Sequence, residues 1–398
     1  MMKVLILGCG NVGGPVAVQL MERNAQDVEL VLGDRNLEAA QALATQIGHN
    51  VKAIHIDIND AAGLRAAMKG MNLVFNFVGP FYLSAYPVIE AALEMGVDYM
   101  DINDDHDVAL KIVSDNSYNE RAKAAGTKII IGCGATPGLT NALARWGANR
   151  MDKATAVRMC WVCMFVPDYL SPGVWDHLFH MYTGNVTQYL DGKYQQVPAY
   201  SGERNVTFLP PFETYPTSFS GHGEAATIPH FIKGLQEASI RSFFFPKAGD
   251  DQLRRLVEMG FGSREPLPGL DISPLQFFVK YAASDLGKSC INVEMPEEGF
   301  PGSNANQVEV EGMRDGNQVR LTLETHLLKM GGGDPTSVCA RVALQTWLRG
   351  GLIGDNGVHA VESAIDPEPY IRAVVKDTGM ILHEREEIIR KNCFLDTE

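Results

Sequence analysis

The chain has 398 residues, of which 45% are hydrophobic and 21% charged, and it carries a net charge of −14. That length exceeds what one hydrophobic core usually organises, so two domains are expected. The acidic balance, with no Lys/Arg cluster to offset it, argues against a nucleic-acid partner, and no apolar run approaches the roughly 18 residues of a membrane span. The seven cysteines, Cys9, Cys133, Cys160, Cys163, Cys290, Cys339 and Cys393, are odd in number and scattered. They suit reduced thiols better than a disulfide framework, and the protein is expected to be cytoplasmic.

Taken in order, the first third alternates apolar runs with helical stretches. Strands are predicted at 3–7, 28–32, 51–56, 73–77, 99–102 and 128–131, and helices at 12–23, 37–46, 61–68, 86–94 and 116–125. Continuous apolar strands separated by helices point to a parallel sheet covered on both faces. Within that pattern Gly8-x-Gly10-x-x-Gly13 follows the first strand and opens the first helix. Gly8 permits a tight turn, Gly10 lets the backbone approach a pyrophosphate and Gly13 lets the helix pack close on the strand. Asn11 and Val12 complete the loop, and the helix start offers unpaired N–H groups to the phosphates. Asp34, in "VLGDRN" at the end of the second strand, stands where a carboxylate accepts hydrogen bonds from the adenosine ribose. It favours NAD as cofactor, whereas Arg35 beside it can pair with the extra phosphate of NADP. Asp57, after the third strand, is placed near the adenine or as a simple helix cap. Val78 and Gly79 in "FNFVGPF" are candidate contacts for the nicotinamide half.

A second phrase, "IIIGCGATPGLTNALA", echoes the first, but Pro137 stands where its third glycine should be and no acid closes the next strand. The turn is therefore read as a rigid entry to a helix, with Pro137 in the first turn, after the last strand of the parallel sheet. It is a candidate hinge and substrate wall. Beyond it the pattern changes. "DGK" at 191–193 and "RDGNQ" at 314–318 are hairpin turns, and "QVEVEGM" and "QVRLTLETHLL" alternate polar and apolar residues as antiparallel strands do. "KMGGGDPTSV" then marks a return to the first domain.

The phrases "GCGNVGGPVA", "GDRN", "FNFVGPFYLSAYPVIEAALEMGVDYMDIND" and "GCGATPGLTNALA" resemble, in order and spacing, the saccharopine dehydrogenase-like oxidoreductases. The resemblance implies an α/β fold: a Rossmann-type doubly wound parallel sheet (residues 1–135), an inserted α+β domain on a mostly antiparallel sheet for substrate and dimer contacts (136–334), and C-terminal helices returning to the first domain (335–398). It implies a homodimer and NAD(P)-linked chemistry at a carbon–nitrogen bond of an amino acid. Two departures bear on the substrate. Thr136 replaces an acid of the saccharopine-forming members, and Tyr215–Ser220 lacks their arginine. A small residue at 136 resembles the lysine 6-dehydrogenase branch, so deamination of lysine or a related ω-amino acid leads. An NADP-linked reductase joining an amine to a carbonyl compound, or a dinucleotide sensor without catalysis, are the alternatives.

That chemistry needs a base for the substrate ammonium and a partner for its carboxylate. Asp101, Asp104, Asp105 and His106 in "YMDINDDHD" are candidate bases, Asp104 first among them. Cys163 matches a cysteine that the resemblance places at the entrance of the substrate domain. Tyr215 and His222, with Glu213, Glu224 and His230, fall in the densest polar–aromatic segment, and Arg204, Arg241 and Lys247 are candidates to hold a carboxylate. His177, His180, His222, His230 and Asp176 lack a compact zinc spacing, so no metal is expected.

Overall fold

The computed structural model describes residues 1–49, 51–167, 170–296, 299–328 and 334–389. The elements run β1 (Met2–Leu7), α1 (Gly13–Asn24), β2 (Val28–Asp34), α2 (Leu37–Ile47), β3 (Lys52–His55), α3 (Ala61–Met68), β4 (Leu73–Asn76), α4 (Phe81–Met95) and β5 (Asp98–Asp101). Next come α5 (His106–Ser114), α6 (Asn116–Ala125), β6 (Lys128–Ile131), α7 (Leu139–Ala148), β7 (Lys153–Met164), α8 (Pro172–Tyr182), β8 (Asn185–Leu190), β9 (Lys193–Pro198), β10 (Arg204–Thr207), β11 (Thr214–Phe219) and α9 (Glu224–Phe231). The remainder is β12 (Glu237–Phe245), α10 (Lys247–Glu258), α11 (Pro274–Ala282), α12 (Asp285–Ile291), β13 (Asn304–Arg314), β14 (Asn317–Leu327), α13 (Pro335–Leu348), β15 (Gly357–Ala360), α14 (Val361–Ala364), α15 (Pro367–Thr378) and β16 (Ile381–Ile388). They divide into two units.

The first unit takes residues 1–104, 108–143 and 331–379. Its sheet has strand order β15-β6-β5-β4-β1-β2-β3, and every pairing is parallel. Val4, Leu5, Ile6 and Leu7 are wholly buried, as a strand covered on both faces requires. Strand order reverses between β1 and β4, and the carboxyl ends there form the crevice in which such sheets bind ligands. The sheet does not end at β6, as the sequence suggested, because β15 pairs beside it with Val358 opposite Ile129. The C-terminal return is pinned by polar contacts along α13. Arg341 Nε donates to Gln19 at 3.0 Å, Gln345 Nε2 to Asn24 at 2.7 Å and Trp347 Nε1 to Asp98 at 2.7 Å.

The second unit takes 105–107, 144–330 and 380–398, and holds a nine-stranded sheet. Only β12 and β7 pair in parallel; the other pairings are antiparallel. Both Asp-Gly hairpins are present. Asp191 and Gly192 have φ of 52° and 75°, and Asp315 and Gly316 have 50° and 75°, the pair of positive values a two-residue turn needs.

Other expectations change. Pro137 does not sit in the first turn of α7. Gly138, at φ 133°, makes the bend, its N–H donates to Asn141 Oδ1 at 2.9 Å, and the helix starts at Leu139. Helix α4 begins at Phe81 rather than at 86, directly behind Pro80. The C-terminal segment expected to return as helices does so only to Thr378, since β16 pairs with β14 of the second unit. The Gly-rich start of "KMGGGDPTSV" and Cys393 lie outside the described residues. The six described cysteines are all free, and no described helix is long and apolar enough to cross a membrane.

Candidate functional site

The glycine turn behaves as its spacing demands. Gly8 has φ 89°, and a Cβ there would meet the Phe77 carbonyl carbon at 3.0 Å. A Cβ on Gly13 would lie 2.0 Å from the Gly8 carbonyl oxygen, so α1 reaches β1 only because that atom is missing. Gly10 differs: a Cβ there meets nothing within 4 Å. Gly8 and Gly13 are thus packed against protein and Gly10 opens onto free space, the room a diphosphate needs. Val12 precedes α1 without a side-chain cap, and the first turn carries no acid. The start of α1 thus presents an unopposed dipole that favours an anion. Contrary to the expectation of free helix donors, however, Gly14 and Val16 donate their N–H groups to the Gly10 and Val12 carbonyls and Pro15 has none.

A cavity of about 540 Å³ opens beside this turn, lined by Gly8, Gly10, Asp34, Arg35, Asp57 and Val78, with Gly79 also on its wall. Asp34 does more than wait for a ribose. Its Oδ2 accepts the Cys9 N–H at 2.8 Å and its Oδ1 the Asn36 N–H at 2.8 Å, so the end of β2 braces the glycine turn. Two of the four lone-pair positions of the carboxylate remain for a ligand. Burial, and then Asp34, push the Cys9 thiol up to about 12, which keeps it neutral beside the acid. Asp57 is not a helix cap: Asp60 caps α3 through the N–H groups of Ala62 and Gly63. Asp57 instead takes the Asn59 N–H and amide on one oxygen at 2.9 Å, which holds its carboxyl below the usual range. The cavity and the glycine cradle have the room a dinucleotide needs. Of the residues named from the sequence, Gly8, Gly10, Asp34, Arg35, Asp57, Val78 and Gly79 line it, whereas Asn11, Val12 and Gly13 do not. The wall also includes Ile58, Asn59 and Leu83, for which the sequence offers no signal beyond adjacency.

The candidate bases separate. Asp101 is wholly buried: Oδ1 takes the N–H of Gly132 at 2.8 Å and of Asn103 at 2.9 Å, and Oδ2 takes the Tyr99 hydroxyl at 2.8 Å. Burial pushes its carboxyl up to about 7 against the pull of these donors. Asp104 is half-buried and belongs to the first unit, whereas 105–107 belong to the second. There His177 meets Asp105 at 3.1 Å, His180 meets Asp107 at 2.9 Å, and His106 Nδ1 accepts the Thr187 N–H at 3.2 Å. Thus three acidic-loop residues and helix α8, far apart in sequence, form one cluster that linear spacing does not reveal.

Ligand atoms of His106, Asp107 and His180 lie within 4.8 Å of one another. Around them the Thr187 N–H donates to His106 Nδ1 at 3.2 Å, and Arg264 Nη2 lies 3.4 Å from His180 Nδ1.

His222 is buried, and its Nδ1 meets the wholly buried Glu224 Oε2 at 2.6 Å. Trp161 and His177 pack beside it, with ring centroids 6.1 and 5.9 Å away. Tyr215 lies in an aromatic core with Phe208, Phe212 and Phe243, the surroundings of a packing residue. Cys163 sits on β7, half-buried, and burial pushes its thiol up to about 12, far from a nucleophile's range. The three candidate carboxylate holders already have partners: Arg204 Nη2 meets Glu309 at 2.9 Å, Lys247 meets Asp251 at 2.6 Å, and Arg241 Nε donates to the Gly202 carbonyl at 3.0 Å.

A family model described as the saccharopine dehydrogenase NADP-binding domain matches residues 4–131. The chain is 31% identical over 147 residues to a carboxyaminopropylagmatine dehydrogenase of Synechocystis sp., a match covering 35% of this chain and 36% of that protein. It is 31% identical over 85 residues to a probable mitochondrial saccharopine dehydrogenase-like oxidoreductase of Arabidopsis thaliana, covering 21% of this chain and 18% of the relative. The matched stretches thus span well under half the length of these curated relatives. Among solved structures, a saccharopine dehydrogenase (L-Glu forming) of Saccharomyces cerevisiae aligns with a TM-score of 0.63 at 15% identity, covering 97% of this chain and 100% of that one. A homospermidine synthase of Legionella pneumophila, solved with NAD, aligns with a TM-score of 0.61 at 12% identity, covering 96% and 91%. These two likenesses establish a shared fold.

Two outcomes follow from the geometry. Asp34→Ala should weaken NAD and NADP alike, by roughly tenfold or more, because it unhooks Cys9 as well as removing an acceptor; Arg35→Ala should weaken NADP selectively. Titration of nicotinamide fluorescence reads both, and an Asp34→Ala protein with unchanged affinities would contradict the site. The second outcome concerns His106, whose imidazole burial pushes down to about 4. The unfolded chain takes up this proton first as pH falls from about 6.5, so stability should fall on acidification through that window, by about 3 kcal/mol at most. Urea unfolding across the window should show a shallower slope in His106→Gln, and an unchanged slope would refute the assignment.

Proposed function

We propose that the chain, whose residues 4–131 match the saccharopine dehydrogenase NADP-binding domain, is an NAD(P)-linked oxidoreductase of the saccharopine dehydrogenase-like family acting at a carbon–nitrogen bond of an amino acid or amine. The observation that carries the reading is the glycine cradle opening into the Asp34-lined cavity, within the stretch that the family model matches. The names of the relatives and neighbours supply the substrate class. Carboxyaminopropylagmatine, saccharopine and homospermidine are all amines in which a second chain is joined through nitrogen. A secondary amine built from an amino acid or polyamine is accordingly the leading substrate. Deamination of lysine or a related ω-amino acid is the second form of the same chemistry, favoured by Thr136 in place of an acid. The reading carries with it a homodimer in the cytoplasm, which rests on the family resemblance and the free cysteines.

A dinucleotide held at Gly8, Gly10 and Asp34 would supply hydride exchange at the carbon beside the nitrogen. The protein's part is to move a proton on or off that nitrogen and to hold the substrate. We assign the proton to His222. Glu224 accepts its Nδ1–H, which fixes the tautomer and leaves Nε2 with a lone pair. Glu224 acts through His222 as a positioning residue.

Purified protein tested with both dinucleotides separates the two forms. Consumption of reduced cofactor that requires an amine and a carbonyl compound together supports the secondary amine, and reduced cofactor appearing with lysine alone supports deamination. Tight dinucleotide binding with no turnover across the panel would overturn the enzyme reading. His222→Gln should lower kcat by roughly 100-fold or more while dinucleotide affinity holds, as loss of a proton-transfer group does. A kcat equal to that of the parent protein would remove His222 from the role.

A further inference from the structure

Asp101, offered by the sequence as a candidate base, has no exposed atom and three donors on its carboxylate. What it does instead can be followed bond by bond within the first unit. The Tyr99 hydroxyl donates to Asp101 Oδ2 at 2.8 Å and accepts from Asn76 Nδ2 at 3.3 Å. The Asn76 amide is thereby oriented, and its Oδ1 accepts the Val78 N–H at 3.0 Å. Asn76 Nδ2 also reaches Ser84 Oγ at 3.4 Å, and Ser84 donates its own hydroxyl to the Val78 carbonyl. Val78 is thus held at both its N–H and its C=O by side chains that are wholly buried: Asn76 and Ser84 directly, Tyr99 and Asp101 behind them.

The polarity of the chain is what makes it a device. Each donor points toward Asp101: Val78 to Asn76, Asn76 to Tyr99, Tyr99 to the carboxylate. When ionised, the Asp101 carboxylate is an acceptor-only end, which removes the freedom of the hydroxyl and amide before it to turn round. Val78 and Gly79 form part of the cavity wall beside Gly8, and the Val78 side chain lies 3.2 Å from where a Cβ on Gly8 would be. A shift of the Val78 peptide therefore reshapes the space in which the dinucleotide is bound.

We infer that Tyr99, anchored on Asp101, is a positioning residue for dinucleotide binding, acting through Asn76 on the Val78 peptide that walls the cavity. The inference rests on that cavity being the dinucleotide site and makes no use of the substrate reading. Its readout is affinity, so its failure leaves the carbon–nitrogen chemistry untouched.

Tyr99→Phe removes the hydroxyl and keeps the ring. Its Kd for NADH and NADPH, read by nicotinamide fluorescence, should rise roughly tenfold, as expected for a buried hydrogen-bond chain left with unmatched donors. Trp347→Phe is the control. It deletes a partly buried hydrogen bond to Asp98 at the other end of β5 and touches none of the linked groups. It should lower Tm and leave both Kd values unchanged. Ser84→Ala removes only one arm of the hold on Val78 and should raise Kd roughly threefold in a protein that keeps its fold. A double variant of Tyr99→Phe with Ser84→Ala should weaken binding by less than the product of the two single effects. Parent affinity in folded Tyr99→Phe, or an equal rise in Trp347→Phe, overturns the inference. If Tyr99→Phe does not fold, Ser84→Ala alone decides, and an unchanged Kd there overturns it equally.

Discussion

Everything at the candidate site depends on one steric constraint, the approach of α1 to the end of β1. With 2.0 Å between the Gly8 carbonyl oxygen and a hypothetical Cβ on Gly13, no other residue fits at that position without moving the helix. The same closeness aims the start of α1 at the crevice where strand order reverses. The helix start then directs its positive dipole end there, and the open side of Gly10 leaves a ligand room to approach it. A rigid contact between two glycines thus becomes an anion site because the chain there contributes backbone and nothing else.

Around that contact the first unit places carboxylates at strand ends, and they serve as anchors as much as reagents. Asp34, ending β2, ties down the turn through Cys9, and Asp101, ending β5, ties the turn after β6 through Gly132. Each gathers backbone N–H groups from a neighbouring loop, work that a carboxylate does well because it accepts at both oxygens and donates at neither. In the second unit the pairing is different in kind. His222, His177 and His180 each meet one carboxylate, and such pairs fix which ring nitrogen holds the proton. The second unit thus adds acid–imidazole pairs to carboxylates that anchor backbone, such as Asp250 on the Phe244 N–H and Glu324 on the Leu209 N–H.

Most of the first unit was legible because its signals are local. Strand, glycine turn, helix and acid follow one another within a short stretch, and each needs only the residues beside it. The Asp-Gly hairpins were legible for the same reason. What the sequence hid is non-local. Strand β15 is four residues long, and it is a strand only because β6 offers it an edge. The start of α4 was placed late because Phe81–Ala85 carries no cap and Pro87 lies inside the helix, so periodicity alone pointed past it. Asp57 and Asp60 look alike as helix caps, and only the start of α3 at Ala61 decides between them. The acidic stretch after β5 misled more seriously. It reads as one loop, yet Asp101 is buried in the first unit while Asp105, His106 and Asp107 belong to the second. Nothing in the order of the residues marks that division.

The double duty of Asp34 also bears on cofactor choice. A carboxylate at this position ordinarily disfavours the 2′-phosphate of NADP, and the simplest way to accept that phosphate is to remove the acid. Here removal would also release the Cys9 N–H that shapes the phosphate turn, so the acid is retained for a structural reason whichever dinucleotide is used. Any tuning toward NADP must then come from a neighbour that can neutralise the repulsion while leaving the brace intact. Arg35, exposed on the cavity wall next to the acid, is placed to do this. An acid at the end of β2 therefore cannot by itself be read as a mark of NAD specificity in this chain. The discriminating group is the residue whose loss changes only one of the two affinities, and Arg35, on the cavity wall beside the acid, is the expected one.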